Sequence, residues 1–149
     1  YEQLELLKKN MVAVVCGILS GTLASLCGIF ALCTLFGFNH QQYVTMLPKS
    51  ITTAIGIGIS EELGGIVTIT VAVIIITGIL GNVIADTVFH IFKIKNPLAK
   101  GLALGTASHA IGTARAIEMG PVEGAMSSLA VAVAGLLTVV FVSGFAQLI

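Results

Sequence analysis

A polar stretch, GTASHAIGTARAIEMG, concentrates side chains capable of chemistry in an otherwise apolar chain. It carries the hydroxyls of Thr106, Ser108 and Thr113, the imidazole of His109 and the guanidinium of Arg115. Hydroxyl and guanidinium groups donate hydrogen bonds, and an arginine can bind a carboxylate through two parallel N–H···O bonds. These residue types indicate a binding site for a small organic anion.

A second polar cluster lies in the stretch PKSITTAIGIGISEELGG, where Ser50, Thr52 and Thr53 follow Lys49. Helix N-termini near such hydroxyls would add positive potential, because the helix dipole places about half a positive charge there. We predict that the hydroxyls of both stretches, together with His109, line one site. The alternative for any single hydroxyl is a helix cap or a local bond to a helix carbonyl.

The ionisable side chains near these clusters have two interpretations each. Arg115 either binds the anion or forms an i, i+3 ion pair with Glu118. His109 either relays protons, since its ordinary pKa is near physiological pH, or is a neutral, hydrogen-bonded side chain in a packed bend. Lys49, at the entrance of its segment, is interpreted as a vestibule charge or a snorkelling residue rather than a ligand. Glu62 and Glu118 are expected to cap backbone groups or to pair with basic residues.

The composition identifies a membrane protein. Of 149 residues, 56% are hydrophobic and 9% are charged, whereas an ordinary soluble domain is about 25% charged. No acidic or basic residue occurs in residues 10–48, 63–85 or 124–149. Each run exceeds the roughly 20 apolar residues that a helix needs to cross a bilayer. We therefore predict a multi-pass membrane protein, surrounded by lipid.

Three stretches are predicted to be spanning helices, at residues 11–38, 66–92 and 125–149. The segments before the second and third spans, residues 48–65 and 101–124, are too polar for lipid-facing helices and too apolar for ordinary loops. Irregular backbone at membrane depth is tolerated only where protein or a watery cavity covers it. We predict that both segments are broken helices or re-entrant hairpins, and that residues 39–47 form a polar link.

The two interrupted segments align with each other at an offset of 56 residues, with five identities in seventeen positions. The spans that follow stay in register, which predicts repeat elements at residues 47–92 and 103–148. Paired interrupted segments in the two halves of a transporter are the best sequence indication of its binding site. The predicted fold is an all-α multi-span helical bundle, a single membrane domain over residues 1–149, whose interrupted segments form an inverted repeat.

The charge distribution bears on the orientation of these repeats. If each interrupted segment enters and leaves on one side, one compartment receives Lys8, Lys9, Lys93, Lys95 and Lys100. The acidic pair at residues 61–62 then faces the other compartment. The excess of lysines makes the first compartment cytoplasmic by the positive-inside rule, and the repeats are inverted. If the segments cross fully, the repeats run parallel; we favour the re-entrant arrangement.

Periodic residues on the spans have two interpretations. Gly17, Gly21 and Ser25 recur every four positions in the first span. Such a stripe of small residues lets another helix approach closely, within the chain or in a homo-oligomer. In the second span three polar residues recur every four positions and either line a pathway or meet the lipid headgroups: Asn82, Asp86 and His90.

Other classes of function lack their sequence signatures. The formal net charge is zero and there is no basic cluster, which argues against nucleic-acid binding. The chain has no G-x-S-x-G elbow, P-loop or dinucleotide fingerprint, so we expect neither enzymatic activity nor a cofactor. Its three cysteines lack metal-binding spacing and are interpreted as small buried thiols that serve as apolar filler, so no metal site is predicted.

A family resemblance is carried by LPKSITTAIGIGISEELGGI, ITGILGNVI and LAKGLALGTASHAIGTARAIEMGPVEGAMSSLA. From Leu47 to the C-terminus the sequence resembles the LrgB/CidB family, and GLALGTASHAIGTARA is the most specific motif. The family usually has a proline after the paired threonines, where this chain has Ala54, so no fixed kink is expected there. Family members are longer at the N-terminus, and we expect further sequence before Tyr1.

The resemblance implies two kinds of function. Bacterial members are described as holin- or antiholin-like proteins that modulate murein hydrolase export and cell lysis, alongside a small LrgA/CidA-type membrane partner. Other relatives carry small monocarboxylates: pyruvate in bacteria, and glycolate and glycerate across the plastid envelope. Because a carrier gives the clustered polar residues a role, we predict a transporter of small monocarboxylates, which the resemblance implies is in the bacterial inner membrane. The alternative is a holin/antiholin-like oligomeric pore or pore regulator, with polar stripes along its long helices.

Overall fold

The computed structural model describes residues 2–149, and within them the chain is all-helical, as predicted. Its helices in this range are α1 (Glu2–Lys9), α2 (Met11–Leu35), α3 (His40–Met46), α4 (Thr53–Glu62), α5 (Val67–Ile91), α6 (Pro97–Met119) and α7 (Pro121–Ala146). They pack into one bundle, in which α6 and α7 make the most extensive contact.

Three helices of the described part of the chain, α2, α5 and α7, are long and apolar enough to cross a membrane. They contain 25, 25 and 26 residues, or roughly 37–39 Å at 1.5 Å per residue. Large apolar side chains on their outer faces, such as Val83 and Val140, are exposed, as lipid-facing residues would be. The prediction of a multi-pass membrane protein is confirmed, and the helices end within four residues of the predicted spans.

Helix α6 has two arms, residues 97–108 and 110–119, on either side of a break at His109. The first arm runs parallel to α7. Gly101 packs against the backbone of Glu123, and one turn later Gly105 packs against the backbone of Ser127. Residue numbers therefore rise together along the arm and the helix. A Cβ on either glycine would overlap the α7 backbone, so these two glycines allow the close approach.

The second arm of α6 runs back along α7. The hydroxyl of Thr113 lies 2.8 Å from that of Ser127, whereas Ile117, one turn later, packs against Gly124. Residue numbers on α7 thus fall as those on the arm rise. Helix α6 enters and leaves at the end of the bundle where α7 begins, which makes it a re-entrant hairpin.

The reversal in α6 occurs at His109, whose φ of 43° and ψ of −135° lie outside the helical region. A positive φ at a residue other than glycine costs about 1–3 kcal/mol and persists only where the surroundings hold it. Two hydrogen bonds from α5 do so. The Nε2 of His109 lies 2.9 Å from the carbonyl oxygen of Ile74, and the amide of Asn82 donates to the carbonyl of Ile111 at 3.1 Å.

Because α6 is the second hairpin in chain order, we call the other one the first hairpin: it consists of α3, a turn at residues 47–52, and α4. It begins where α7 ends, because the Nδ1 of His40 lies 2.7 Å from the carbonyl oxygen of Ile149. Its second arm, α4, packs antiparallel to α5. Ser60 accepts a hydrogen bond from Thr70 at 2.8 Å, and Gly56, one turn earlier, packs against Ile74, one turn further along α5.

Residues 39–47, predicted to be a polar link, instead contain α3, so that prediction was wrong. Asn39 and Gln42 form a capping box, with hydrogen bonds of 2.9 and 3.0 Å between side chain and backbone, which satisfies the first turn of the helix. Tyr43 and Val44 are fully buried. The polar residues that indicated a link form the N-terminal cap and the exposed face of α3, which is an amphipathic helix.

The two hairpins enter the bundle from opposite ends. At the end where α6 begins, Lys9 and Asn96 lie beside Val122, and Lys100 stacks over the Phe89 ring at 5.7 Å. Helix α4 finishes with its acidic pair at the other end. These positions match the re-entrant arrangement favoured from the sequence, while the inverted repeat itself stays a prediction.

Candidate functional site

A groove of about 800 Å³ runs between α2 and the first arm of α6; we call it the α2–α6 groove. Its lining begins with Asn96 and Ala13, at the lysine-bearing end of the bundle. It finishes at Lys49 and Ser50, in the turn of the first hairpin. The groove therefore leads from one end of the bundle to the tip of the hairpin that enters from the other end.

Small residues give the groove its width. Gly17 and Gly21 of the predicted stripe face Leu102 and Thr106, and a Cβ on Gly21 would come within 3.0 Å of the Thr106 hydroxyl. The stripe thus brings α2 close to α6, which matches the interpretation that it packs against another helix of the same chain. The third member, Ser25, points into the same groove.

Lys49 and Ser50 form the polar inner end of the groove. The ammonium of Lys49 donates to the Ser50 hydroxyl at 2.9 Å, and Ser25 of α2 donates to the same oxygen at 3.0 Å. Ser50 is buried, with 8% of its surface exposed. Both ion pairs found among the described residues belong to Arg115, so the charge of Lys49 has no carboxylate partner there.

The chain breaks here because of its local sequence. Helix α3 ends before Pro48, which lacks the backbone N–H that would continue the helical hydrogen bonds, although Leu47 before it keeps helical backbone angles. Helix α4 restarts with Thr52 as its N-cap residue, in extended conformation. The interruption leaves Lys49 and Ser50 outside any helix and directed at α2. Lys49, expected at a segment entrance, is instead at a hairpin tip.

The polar residues of the second hairpin divide between the groove and the hairpin's own packing. Thr106 lines the groove and donates to the carbonyl of Leu102 at 2.8 Å. Ser108 is buried against α5, His109 binds Ile74, and the Thr113 hydroxyl donates to the carbonyl of His109 at 2.9 Å. The packed-bend interpretation of His109 matches this geometry.

Arg115 forms ion pairs within the protein, which is the structural alternative to anion binding. Its guanidinium pairs with Glu118 at 2.6 Å and with Asp86 of α5. The pair with Glu118 was the alternative considered from the sequence, whereas the partner on α5 was not identified there. Arg115 is part-exposed near the lysine-bearing end, and it links the second arm of α6 to α5.

The other predicted site residues lie outside the groove. Thr52 and Thr53 begin α4 and are half-buried, without a side-chain cap bond from Thr52. Glu62 is exposed at the end of α4. Of the eight predicted binding residues, the structure therefore brings together Ser50 and Thr106 in one groove, with Lys49 beside them.

Sequence reasoning missed polar groups on the spanning helices. Ser25 was assigned to helix packing, yet it hydrogen-bonds Ser50 across 25 residues of chain. Thr22 and Thr138 lie behind Ser50 around a small cavity. Thr22 and Ser25 are separated by one helical turn, so they share a face of α2 with the small-residue stripe, and this spacing could have identified them.

No cluster of three or more His, Cys, Asp or Glu side chains able to hold a metal ion occurs in the described part of the chain. Its cysteines are free thiols, with Cys16 and Cys27 exposed and Cys33 buried. The interpretation of all three as buried filler is therefore correct for Cys33 alone. The groove offers the Lys49 ammonium and the Asn96 amide as hydrogen-bond donors for an anion, whereas the Ser25 and Thr106 hydroxyls already donate within the protein.

A bundle of spanning helices with two re-entrant hairpins, and a cationic groove leading to one hairpin tip, defines a multi-pass membrane protein. The comparisons with known proteins specify the class further. The chain belongs to the LrgB-like family, whose family model matches residues 1–148.

The most similar curated relatives include the antiholin-like protein LrgB of Bacillus cereus (strain B4264) and that of Bacillus anthracis (strain CDC 684 / NRRL 3495). Each is 41% identical over 145 residues, which cover 97% of this chain. The chain spans 63% of the length of these relatives. No solved structure matches the chain significantly.

Proposed function

We propose that the protein carries a small monocarboxylate, of the size of pyruvate or glycolate, and binds its carboxylate at the inner end of the α2–α6 groove. The observation that carries this proposal is Lys49, an ammonium at a hairpin tip within the bundle, whose one hydrogen bond to a described residue is to a neutral hydroxyl. An ionisable residue at membrane depth is a functional candidate by default, because burying its charge is costly.

The surroundings of Lys49 favour a carboxylate as its counter-ion. Ser25 and Thr106 hydroxyls lie in the same groove, whose described lining contains no acidic residue. A volume of about 800 Å³ exceeds what a three-carbon acid occupies and falls in the range typical of small-molecule sites. A single lysine also lets the anion leave again, since it binds a carboxylate less rigidly than a bidentate arginine.

The hairpin arrangement supports a carrier. Secondary transporters commonly place substrate at mid-membrane between interrupted helices from inverted halves, and expose it to each side in turn. Here one end of the groove lies at the lysine-bearing end of the bundle, which the positive-inside rule makes cytoplasmic. The turn that holds Lys49 belongs to the hairpin from the other end, so movement of one hairpin against the other would change access to it.

The relatives' name, antiholin-like, favours a second function. A holin-like pore or pore regulator, acting with an LrgA/CidA-type membrane protein or as a homo-oligomer, would link the chain to murein hydrolase control and lysis. We propose carboxylate transport as the molecular activity, and altered lysis as its cellular consequence. The exposed faces of the spanning helices are largely apolar, as at Ile76 and Leu136, rather than polar as a water-filled pore requires.

Uptake into liposomes containing the full-length protein tests the proposal. Labelled pyruvate and glycolate are compared with an uncharged dye of several hundred daltons, for the wild type, Lys49→Gln and Lys49→Arg. The matched control is Lys95→Gln, which removes a charge from the loop before α6. Saturable carboxylate uptake without dye entry is expected. Because a hydrogen bond to a charged group contributes about 1.5–3 kcal/mol, Lys49→Gln should raise KM by about tenfold or more.

The controls separate the outcomes. Lys95→Gln should leave KM near the wild-type value, and Lys49→Arg should keep part of the affinity. Dye entry without saturation would assign the protein to the pore class. Carboxylate uptake with unchanged KM in Lys49→Gln would show a carrier whose anion site lies elsewhere.

A further inference from the structure

We propose that a small cavity behind Ser50 is a binding site for one buried water molecule, held by hydroxyls from several elements of the bundle. The cavity measures about 10 Å³ and is lined by Thr22 and Ser25 of α2, Ser50 of the first hairpin, Thr106 of α6 and Thr138 of α7. That volume admits a single water, which also needs two to four polar partners to be stable.

Thr22 supplies an independent observation. It is 3% exposed, and its Oγ1 has no hydrogen-bond partner among the described residues. Other threonines of the bundle donate to a carbonyl of their own helix: Thr34 to Phe30 and Thr138 to Ala134, each at 2.8 Å. Thr22 forgoes this bond and lines the cavity instead. A buried hydroxyl without a partner costs about 1–3 kcal/mol.

The hydrogen bonds already made determine what the cavity can hold. Thr106 and Thr138 have committed their hydroxyl hydrogens to helix carbonyls, so they offer only lone pairs. Ser50 accepts from both Lys49 and Ser25, so the group it has left is its own hydrogen. Thr22 can also donate. Two acceptors and two donors complement the two hydrogens and two lone pairs of water.

A sodium ion is the competing occupant, and the same pattern disfavours it. A cation needs oxygen lone pairs, whereas Ser50 presents a hydrogen and lies 2.9 Å from the Lys49 ammonium. Water is neutral and both donates and accepts hydrogen bonds, so neither the Ser50 hydrogen nor the Lys49 ammonium repels it. The water would continue a hydrogen-bond chain from Lys49 through Ser50 to α2 and α7, and so hold the lysine in place.

The water site depends on the cavity alone, whereas its effect on Lys49 rests on the proposed function. The test therefore begins with a readout that needs no transport: the thermal midpoint of the purified full-length protein, measured by loss of the monodisperse fraction after heating. The variants are Thr22→Val, which keeps the shape and removes the hydroxyl, Thr22→Ser, which keeps the hydroxyl, and the control Thr34→Val, on the same helix but exposed.

A bound water predicts that Thr22→Val lowers the midpoint by about 2–4 °C, the shift for the loss of one hydrogen bond in a protein of this size. Thr22→Ser should recover most of it, and Thr34→Val should have a smaller effect. Without the water, valine would remove a buried, unpartnered hydroxyl, so an unchanged or raised midpoint would overturn the proposal. A midpoint raised by NaCl over choline chloride, and insensitive to NaCl in Thr22→Val, would assign the cavity to sodium and also overturn it.

Coupling provides a second measurement. Thr22 and Thr138 share no hydrogen bond in the structure, yet both would contact the water, so the midpoint shifts of Thr22→Val and Thr138→Val should be less than additive. Additive midpoint shifts would contradict the proposal that one water molecule bridges Thr22 and Thr138. In liposomes, Thr22→Val should raise the KM for the carboxylate by about fivefold, the value of one hydrogen bond, without changing the maximal rate. A fall in maximal rate at constant KM would contradict the positioning of Lys49.

Discussion

The hydroxyls of Ser25 and Ser50 meet at 3.0 Å and connect the middle of α2 to the tip of the hairpin that enters from the opposite end of the bundle. Ser25 belongs to the face of α2 that lines the α2–α6 groove, and Ser50 carries the hydrogen bond from Lys49. This contact therefore joins a rigid spanning helix, an interrupted segment and the proposed anion site.

Removing this contact should weaken carboxylate binding. In Ser25→Ala the Ser50 hydroxyl loses a donor, and Lys49 loses part of its support. One neutral hydrogen bond contributes about 0.5–1.5 kcal/mol, so the KM for uptake should rise by about threefold to tenfold. The matched control is Ser128→Ala, whose exposed hydroxyl donates only to the carbonyl of Gly124 at 2.9 Å. Equal KM values for both variants would separate Ser25 from the site.

Arg115 should behave differently from Lys49. Because it pairs with Asp86 and Glu118 outside the groove, Arg115→Gln should lower thermal stability and leave the carboxylate KM near the wild-type value. Asp86→Asn should lower stability in the same direction, and added salt should reduce the difference, since exposed ion pairs are screened. The measurements are thermal midpoints at low and high salt, alongside uptake. A KM that rises in Arg115→Gln as much as in Lys49→Gln would place the arginine in the substrate path.

The sequence predicted the class, the spans and the interruptions, because these depend on local composition. Uncharged runs mark α2, α5 and α7, and an excess of hydroxyls and glycines marks both hairpins. The amphipathic arm α3 was missed because its capping residues resemble a loop. The polar residues of the second hairpin were correctly expected to cluster, but packing decides which of them face the groove.

The distribution of roles within the site could not be predicted, because it depends on which helix faces which. Thr106 and Ser108 are two positions apart, yet Thr106 meets α2 and Ser108 meets α5. By chemistry alone, Arg115 was the stronger candidate for an anion ligand. Its partner Asp86 is 29 residues away, and only the fold shows that the guanidinium is already paired.

The topology predicts a labelling pattern that separates hairpins from crossing helices. Single cysteines are introduced at Asn96, Glu118 and Glu61 in a protein without Cys16, Cys27 and Cys33, and are labelled from each side by a membrane-impermeant thiol reagent. The re-entrant α6 places Asn96→Cys and Glu118→Cys on one side. Glu61→Cys, at the end of α4, should react from the other side. If α6 crosses fully, the first two variants would react from opposite sides.

The close approach of α5 to the break in α6 predicts a strong effect of a single methyl group. A Cβ on Gly81 would overlap the Oγ of Ser108, next to the strained His109. Because Ser108 is 2% exposed and has little room to move, Gly81→Ala should destabilise the protein by about 1–3 kcal/mol, the usual effect of overpacking. Thermal unfolding of the purified protein measures this change.

The matched control for Gly81 is Gly28, which lies in the interior of α2, where an added methyl group would have no described neighbour within 4 Å. Gly28→Ala should be neutral or stabilise by up to about 1 kcal/mol, because alanine loses less conformational entropy than glycine in a helix. The double variant Gly81→Ala/Ser108→Gly removes the overlapping hydroxymethyl group and should recover part of the lost stability. If Gly81→Ala changes the stability as little as Gly28→Ala, α5 does not pack against the break in α6 as described. The support for the tip of the α6 hairpin must then come from α7.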